Sequence, residues 1–79
     1  MRATITVGLK PGVLDTEGKA VASALHELGF QAVTGARVAK VIELELATED
    51  RDAAEAQVRE MCERLLANPV IETYRIELH

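Results

Sequence analysis

Seventy-nine residues, 48% of them apolar and with a formal net charge of −4, make one small domain, 1–79. A chain this short buries little of its surface and usually needs a disulfide, a metal or oligomerisation. Cys62 is the only cysteine and no Cys/His cluster has metal-ligand spacing, so a second copy or a partner protein is the expected support. The acidic balance argues against nucleic acid and against an anionic membrane surface. No apolar run approaches the ~20 residues of a membrane span. Met1 to Ile5 lacks a signal-peptide core, so a cytoplasmic location is expected.

Ala3, Ile5, Val7 and Leu9 alternate with Arg2, Thr4, Thr6 and Gly8. This is the period of a half-buried strand. Pro11-Gly12 is a turn signal. Val13 and Leu14 follow in the loop, and Asp15 or Thr16 is placed to cap a helix. Gly18 stands where a capping-box glutamate belongs, so the box is incomplete. Val21, Leu25 and Leu28 recur at helical spacing, predicting an amphipathic helix from Thr16 to Leu28. Gly29 and Phe30 then fit the C′ and C″ positions of a Schellman motif, with Leu25 at C3.

From Gln31 to Ala47 the chain reads as extended. Ile42, Leu44 and Leu46 alternate with polar residues, while Val33 to Val38 is weaker and broken by Gly35. Two antiparallel strands with a turn at Ala39-Lys40, or one long bent strand, both fit. Ala39-Lys40 is poor two-residue hairpin chemistry. Thr48-Glu49-Asp50 suits a helix N-terminus. Ala54, Val58, Met61, Cys62 and Leu65 form the apolar stripe of the second helix. Glu55 with Arg59 and Glu60 with Arg64 are acid-before-base pairs on its outer face. Asn68-Pro69 breaks that helix, because proline disfavours the α conformation at the residue before it. From Val70 the pattern alternates again, with Val70, Tyr74, Ile76 and Leu78 on one face.

The order β-α-β(β)-α-β predicts an α+β, ferredoxin-like two-layer sandwich, with two helices on one face of a mainly antiparallel sheet. The residues show no catalytic or metal constellation. Cys62 reads as a buried thiol, His26 as solvated and His79 as frayed. The acids Glu43, Glu45, Glu49, Asp50 and Asp52 lack calcium-loop spacing. Lys10, Arg37 and Lys40 serve either solubility or contact with a partner or an anionic ligand. Tyr74 either packs with its hydroxyl satisfied or stands at an interface.

Leu9-Lys10-Pro11-Gly12-Val13-Leu14-Asp15, Leu28-Gly29-Phe30, Arg37-Val38, Lys40-x-Ile42-Glu43-Leu44 and Leu66-Ala67-Asn68-Pro69-Val70-Ile71-Glu72-x-Tyr74 together resemble the PurS family, the small subunit of bacterial phosphoribosylformylglycinamidine synthase. The resemblance covers the chain in register. It departs at Ala39, where a glycine is expected before the lysine. It implies a structural subunit without an active site. That subunit joins a glutaminase (PurQ) to a synthetase (PurL) for glutamine- and ATP-dependent amidation of formylglycinamide ribonucleotide in purine biosynthesis. It implies a dimer or tetramer that binds no cofactor itself, while the complex uses ATP, Mg and glutamine. Lys10, Arg37, Lys40 and Tyr74 are the expected partner contacts, and Asn68 with Pro69 the structural junction. The rival reading is a ferredoxin-like regulatory module that senses a small molecule.

Overall fold

A computed structural model describes residues 1–79. In chain order it contains β1 (Arg2–Leu9), α1 (Thr16–Glu27), β2 (Lys40–Glu45), α2 (Arg51–Met61), a π-helical turn (Cys62–Leu66) and β3 (Glu72–Leu78). The class is α+β with a ferredoxin-like arrangement of antiparallel sheet and two helices. β1 is the central strand, antiparallel to β2 on one side and to β3 on the other. Ile5 stands opposite both Ile42 and Ile76, so three isoleucines form a row across the sheet. Ala3 lies between Leu44 and Leu78, and Val7 between Lys40 and Tyr74.

The odd positions of β1 face the core as their alternation predicts: Ala3, Ile5 and Val7 are fully buried. Val58 of α2 and Cys62 of the π turn pack with them, and Ala54 of α2 is also fully buried. The stripe deviates at its end, where Leu65 is 82% exposed and Leu66 packs on the core instead. The π turn explains the exchange. The Ala67 amide donates to the Cys62 carbonyl over five residues, and the wider turn takes in one residue more than an α turn does. Leu66 therefore reaches the face that α-helical spacing assigns to Leu65.

Two further expectations are corrected. The 31–47 stretch is neither a hairpin nor one long strand: only Lys40–Glu45 pairs, and residues 33–39 have no regular structure. The last strand starts at Glu72, because Val70 and Ile71 belong to the preceding turn.

The helices do not share one layer. α2 supplies the core, whereas α1 contributes nothing to it and buries only Gly18. Contacts between Asp15 and Val38, Gly18 and Ala36, and His26 and Val33 show that the chain returns along α1 before entering β2. α1 and this returning segment form an arm that leaves the sheet. The molecule measures 49 × 25 × 14 Å, with a radius of gyration of 16.0 Å. A compact chain of this length has about 12 Å.

Candidate partner-contact surface

Where the arm meets the sheet, the sequence fixes a series of local structures. Val13 N–H donates to Lys10 C=O at 3.1 Å, closing a turn with Pro11 and Gly12 at its centre. Gly12 has φ 89°, a value glycine adopts without steric cost. Asp15 then caps α1, its Oδ1 accepting from Gly18 N–H at 2.8 Å. At the far end, Gly29 (φ 99°) gives its amide to His26 C=O and Phe30 gives its amide to Leu25 C=O. These are the two bonds of the Schellman motif.

A cleft of about 260 Å³ opens at the base of the arm, lined among others by Gly8, Leu14, Asp15, Val38, Lys40 and Glu72. Of the four expected contact residues one lines it, and two more lie close by at the end of β1. Lys40 lines the cleft from the first position of β2. Arg37 Nη2 donates to the Leu9 carbonyl at 2.7 Å, tying the returning segment to the end of β1. Lys10 Nζ donates to Pro69 C=O at 2.7 Å, and its backbone amide to Ile71 C=O at 2.8 Å. Lys10 and Arg37 thus hold backbone as well as carrying charge. The Asp15 carboxyl sits below its usual range. The Val38 amide is the main cause, followed by the Gly18 amide, with a smaller pull from Arg37.

Tyr74 is elsewhere. It lies on the α2 side of β3, and its hydroxyl donates to Glu63 Oε1 at 2.6 Å. That bond favours the protonated phenol and raises its pKa. The sequence offered two roles for Tyr74, and its hydroxyl is satisfied within the chain. Asn68 is the hub of the junction. Its carbonyl accepts from the Ile71 and Glu72 amides, its Oδ1 from Val70 N–H, and its own amide donates to Glu72 Oε1 at 2.6 Å.

Sequence reasoning missed three features. The second bond of Asp15, from Val38 N–H at 2.9 Å, joins residues far apart in the chain and leaves no periodic signal. A Cβ on Gly18 would run into the Ala36 carbonyl oxygen, which is why no capping-box glutamate stands there. That missing glutamate was the visible trace of the close approach. Glu63 shows only as a helix-surface acid until β3 brings Tyr74 to it.

Chemically, the surface can bind and orient. Cys62 is buried beneath α2, and desolvation pushes its thiol up, away from the nucleophilic thiolate. No group of three or more His, Cys, Asp or Glu side chains is placed to hold a metal. No helix is long and apolar enough to cross a membrane.

The family model described as PurS, phosphoribosylformylglycinamidine (FGAM) synthase, matches residues 2–79. The chain belongs to the PurS family. It is 45% identical over 76 residues to the PurS subunit of Archaeoglobus fulgidus, covering 96% of this chain and 95% of that one. To the Bacillus subtilis PurS subunit it is 46% identical, covering 98% and 90%. The fold is similar to the crystal structure of Methanocaldococcus jannaschii PurS, with TM-score 0.88, 41% identity and coverage of 96% and 92%. That protein is described as one of the subunits of formylglycinamide ribonucleotide amidotransferase in the purine biosynthetic pathway. A chain in the structure of PurLQS from Thermotoga maritima matches with TM-score 0.87, 33% identity and coverage of 96% and 93%.

Proposed function

We propose that this chain is the connecting subunit of a cytoplasmic FGAM synthase, joining the glutaminase PurQ to the synthetase PurL and catalysing nothing alone. The match to a chain of the Thermotoga maritima PurLQS structure over 93% of that chain carries this reading. In it, the glutaminase releases ammonia from glutamine, and the synthetase uses ATP and Mg to amidate formylglycinamide ribonucleotide. This chain binds none of these cofactors. It holds the two sites in a fixed relation, so ammonia reaches the second before it escapes.

Lys10, Arg37 and Lys40 are the proposed contacts around the end of β1, and Tyr74 a separate one on the α2 side. The chain itself pairs as a dimer or tetramer. Two features of the monomer support pairing. The arm with its exposed apolar residues leaves its own sheet, and Ile42, Leu44 and Leu46 on β2 and beyond it are only partly buried.

Reconstitution from separate subunits tests the connector reading, with glutamine or ammonium salt as nitrogen donor. Omitting this chain is expected to lower the glutamine-dependent rate far more than the ammonia-driven one. An unchanged glutamine-dependent rate removes the connector and favours the small-molecule sensor instead.

A further inference from the structure

The sheet has two edge strands, β2 and β3, and their open edges differ. Between β1 and β3, His79 N–H donates to Arg2 C=O at 2.8 Å and Lys10 N–H to Ile71 C=O at 2.8 Å. Backbone groups alternate between the two sides of an antiparallel strand. Thr73, Arg75 and Glu77 therefore turn theirs to β1, while Glu72, Tyr74, Ile76 and Leu78 turn theirs outward. The Glu72 amide is already given to Asn68 C=O at 2.7 Å. Tyr74, Ile76 and Leu78 are left with one free donor and one free acceptor each. Nothing blunts this edge. From Glu72 to Leu78 there is no proline, glycine or lysine, and the register with β1 runs without a bulge.

We infer that β3 pairs antiparallel with β3 of a second copy, about a two-fold axis at Ile76. This register sets Ile76 opposite itself and Tyr74 opposite the second copy's Leu78. All the free backbone groups of the edge are then bonded. On the outer face, Arg75 stands opposite the second copy's Glu77, and Glu77 opposite its Arg75. Both side chains are exposed, and within one chain they approach only to 3.5 Å. Opposite charges on directly facing residues stabilise a strand pair. On the inner face, the row of Ile42, Ile5 and Ile76 continues into the second copy.

Other registers lose these matches. An axis at Arg75 sets that arginine against itself, faces Glu72 with Leu78 and calls on the Glu72 amide, which is spent. At β2, Leu46 N–H donates to Met1 C=O at 2.7 Å, so Val41, Glu43 and Glu45 turn their backbone outward. A two-fold axis that pairs all of them sets Glu43 against Glu43. The β3 edge is thus complementary to itself, and the β2 edge is not. This contact rests on the proposed association with a second copy and names one surface of it; it does not require the arm. One strand on another buries little surface, so the contact adds to pairing through the arms. With the arm as one two-fold contact and β3 as another, the tetramer is the closed form.

Hydrogen exchange and NMR on the full chain test the edge. The amides of Tyr74, Ile76 and Leu78 are expected to be protected like those of Thr73, Arg75 and Glu77. Protection that alternates along β3, with the first set exchanging freely, overturns the contact. In a sample mixing labelled and unlabelled chains, an intermolecular Hα contact between Arg75 and Glu77 is expected. An Arg75 to Arg75 contact, or contacts from residues 33–39 to this edge, overturns the register. Arg75→Glu is expected to speed exchange at Tyr74, Ile76 and Leu78 about tenfold while Ala3 to Val7 stay protected, and adding Glu77→Arg is expected to restore it. Unchanged exchange in the single variant, or no restoration in the double, overturns the charge match. Sedimentation separates the two readings. A monomer removes self-association as a whole, whereas an oligomer whose Tyr74, Ile76 and Leu78 amides exchange freely keeps the pairing and removes only the β3 contact.

Discussion

Asp15 and Ile5 show two ways in which single residues hold this molecule together. Asp15 is ionised and bonded to two amides in the folded chain, so its folded pKa lies below the ordinary value of 3.8. A depressed carboxylate contributes stability that is fully present above the unfolded pKa and is lost as pH falls through the folded one. The stability gap between the unmodified chain and Asp15→Asn is therefore expected to be constant from pH 7 to 5 and to close below 3.8. Thermal melts across that range check it; a gap that persists at pH 2 places the effect outside the carboxylate charge. Ile5 acts by burial. It is fully buried between Ile42 and Ile76, under Val58 and Cys62. Truncation there leaves a cavity that neighbouring strands cannot close, so Ile5→Ala is expected to cost about 3 kcal/mol in urea unfolding. A loss below about 1 kcal/mol shows that the row repacks.

Among the elements, the junction from α2 to β3 depends most on sequence-local chemistry. Pro69 keeps Asn68 out of the helical conformation. Asn68 then gathers three amides, those of Val70, Ile71 and Glu72, into one turn. Lys10 Nζ holds the Pro69 carbonyl from the other side. Pro69→Ala removes the restriction on Asn68 and frees the unfolded chain, which costs about 0.4–1 kcal/mol. Hydrogen exchange from Val70 to Tyr74 is expected to quicken in this variant, while Ala3 to Val7 stay protected. Unchanged exchange in the turn shows that Asn68 suffices alone. The exposed pairs of α2 matter less. Glu55 with Arg59 at 3.1 Å and Glu60 with Arg64 at 3.2 Å are solvent-screened contacts that add little.

At the scale of the whole molecule, the dominant fact is its shape. A radius of gyration of 16.0 Å cannot come from a closed two-layer sandwich of 79 residues. α1 carries an amphipathic pattern whose apolar side is only partly covered within the chain: Val21 on the helix is exposed, as are Leu28 and Phe30 at its end, 73% and 58%. Monomers rarely leave such a surface open to water. In the proposed pairing, a second copy would supply a sheet face and each arm would cover the other sheet. Sedimentation equilibrium at micromolar concentration is expected to show at least a dimer. Leu28→Glu with Phe30→Glu is expected to shift it toward monomer while the Ala3 to Val7 core stays protected. A unmodified chain that is monomeric there rejects the pairing.

The sequence by itself determined each element whose signal is local. Alternation in Ala3 to Leu9 set the buried face of β1, because strand side chains point to opposite faces in turn. Leu25-x-x-x-Gly29-Phe30 set the end of α1, because both Schellman bonds lie within six residues. Pro69 set the end of the helical stretch, whose π turn closes at Leu66, to within two residues of Asn68. Residue types left Lys10, Arg37 and Lys40 as either solvated charges or contacts, and gave no sign of their meeting at the end of β1. That meeting, like the bond from Asp15 to Val38, joins segments more than twenty residues apart. Neither leaves a period to read. Only the tertiary structure decided which helix covers the sheet. Both helices carry an apolar stripe, and a stripe states that a face must be buried without naming what buries it. The returning segment, fixed by Asp15 and Gly18, turns α1 away from the sheet and leaves the core to α2.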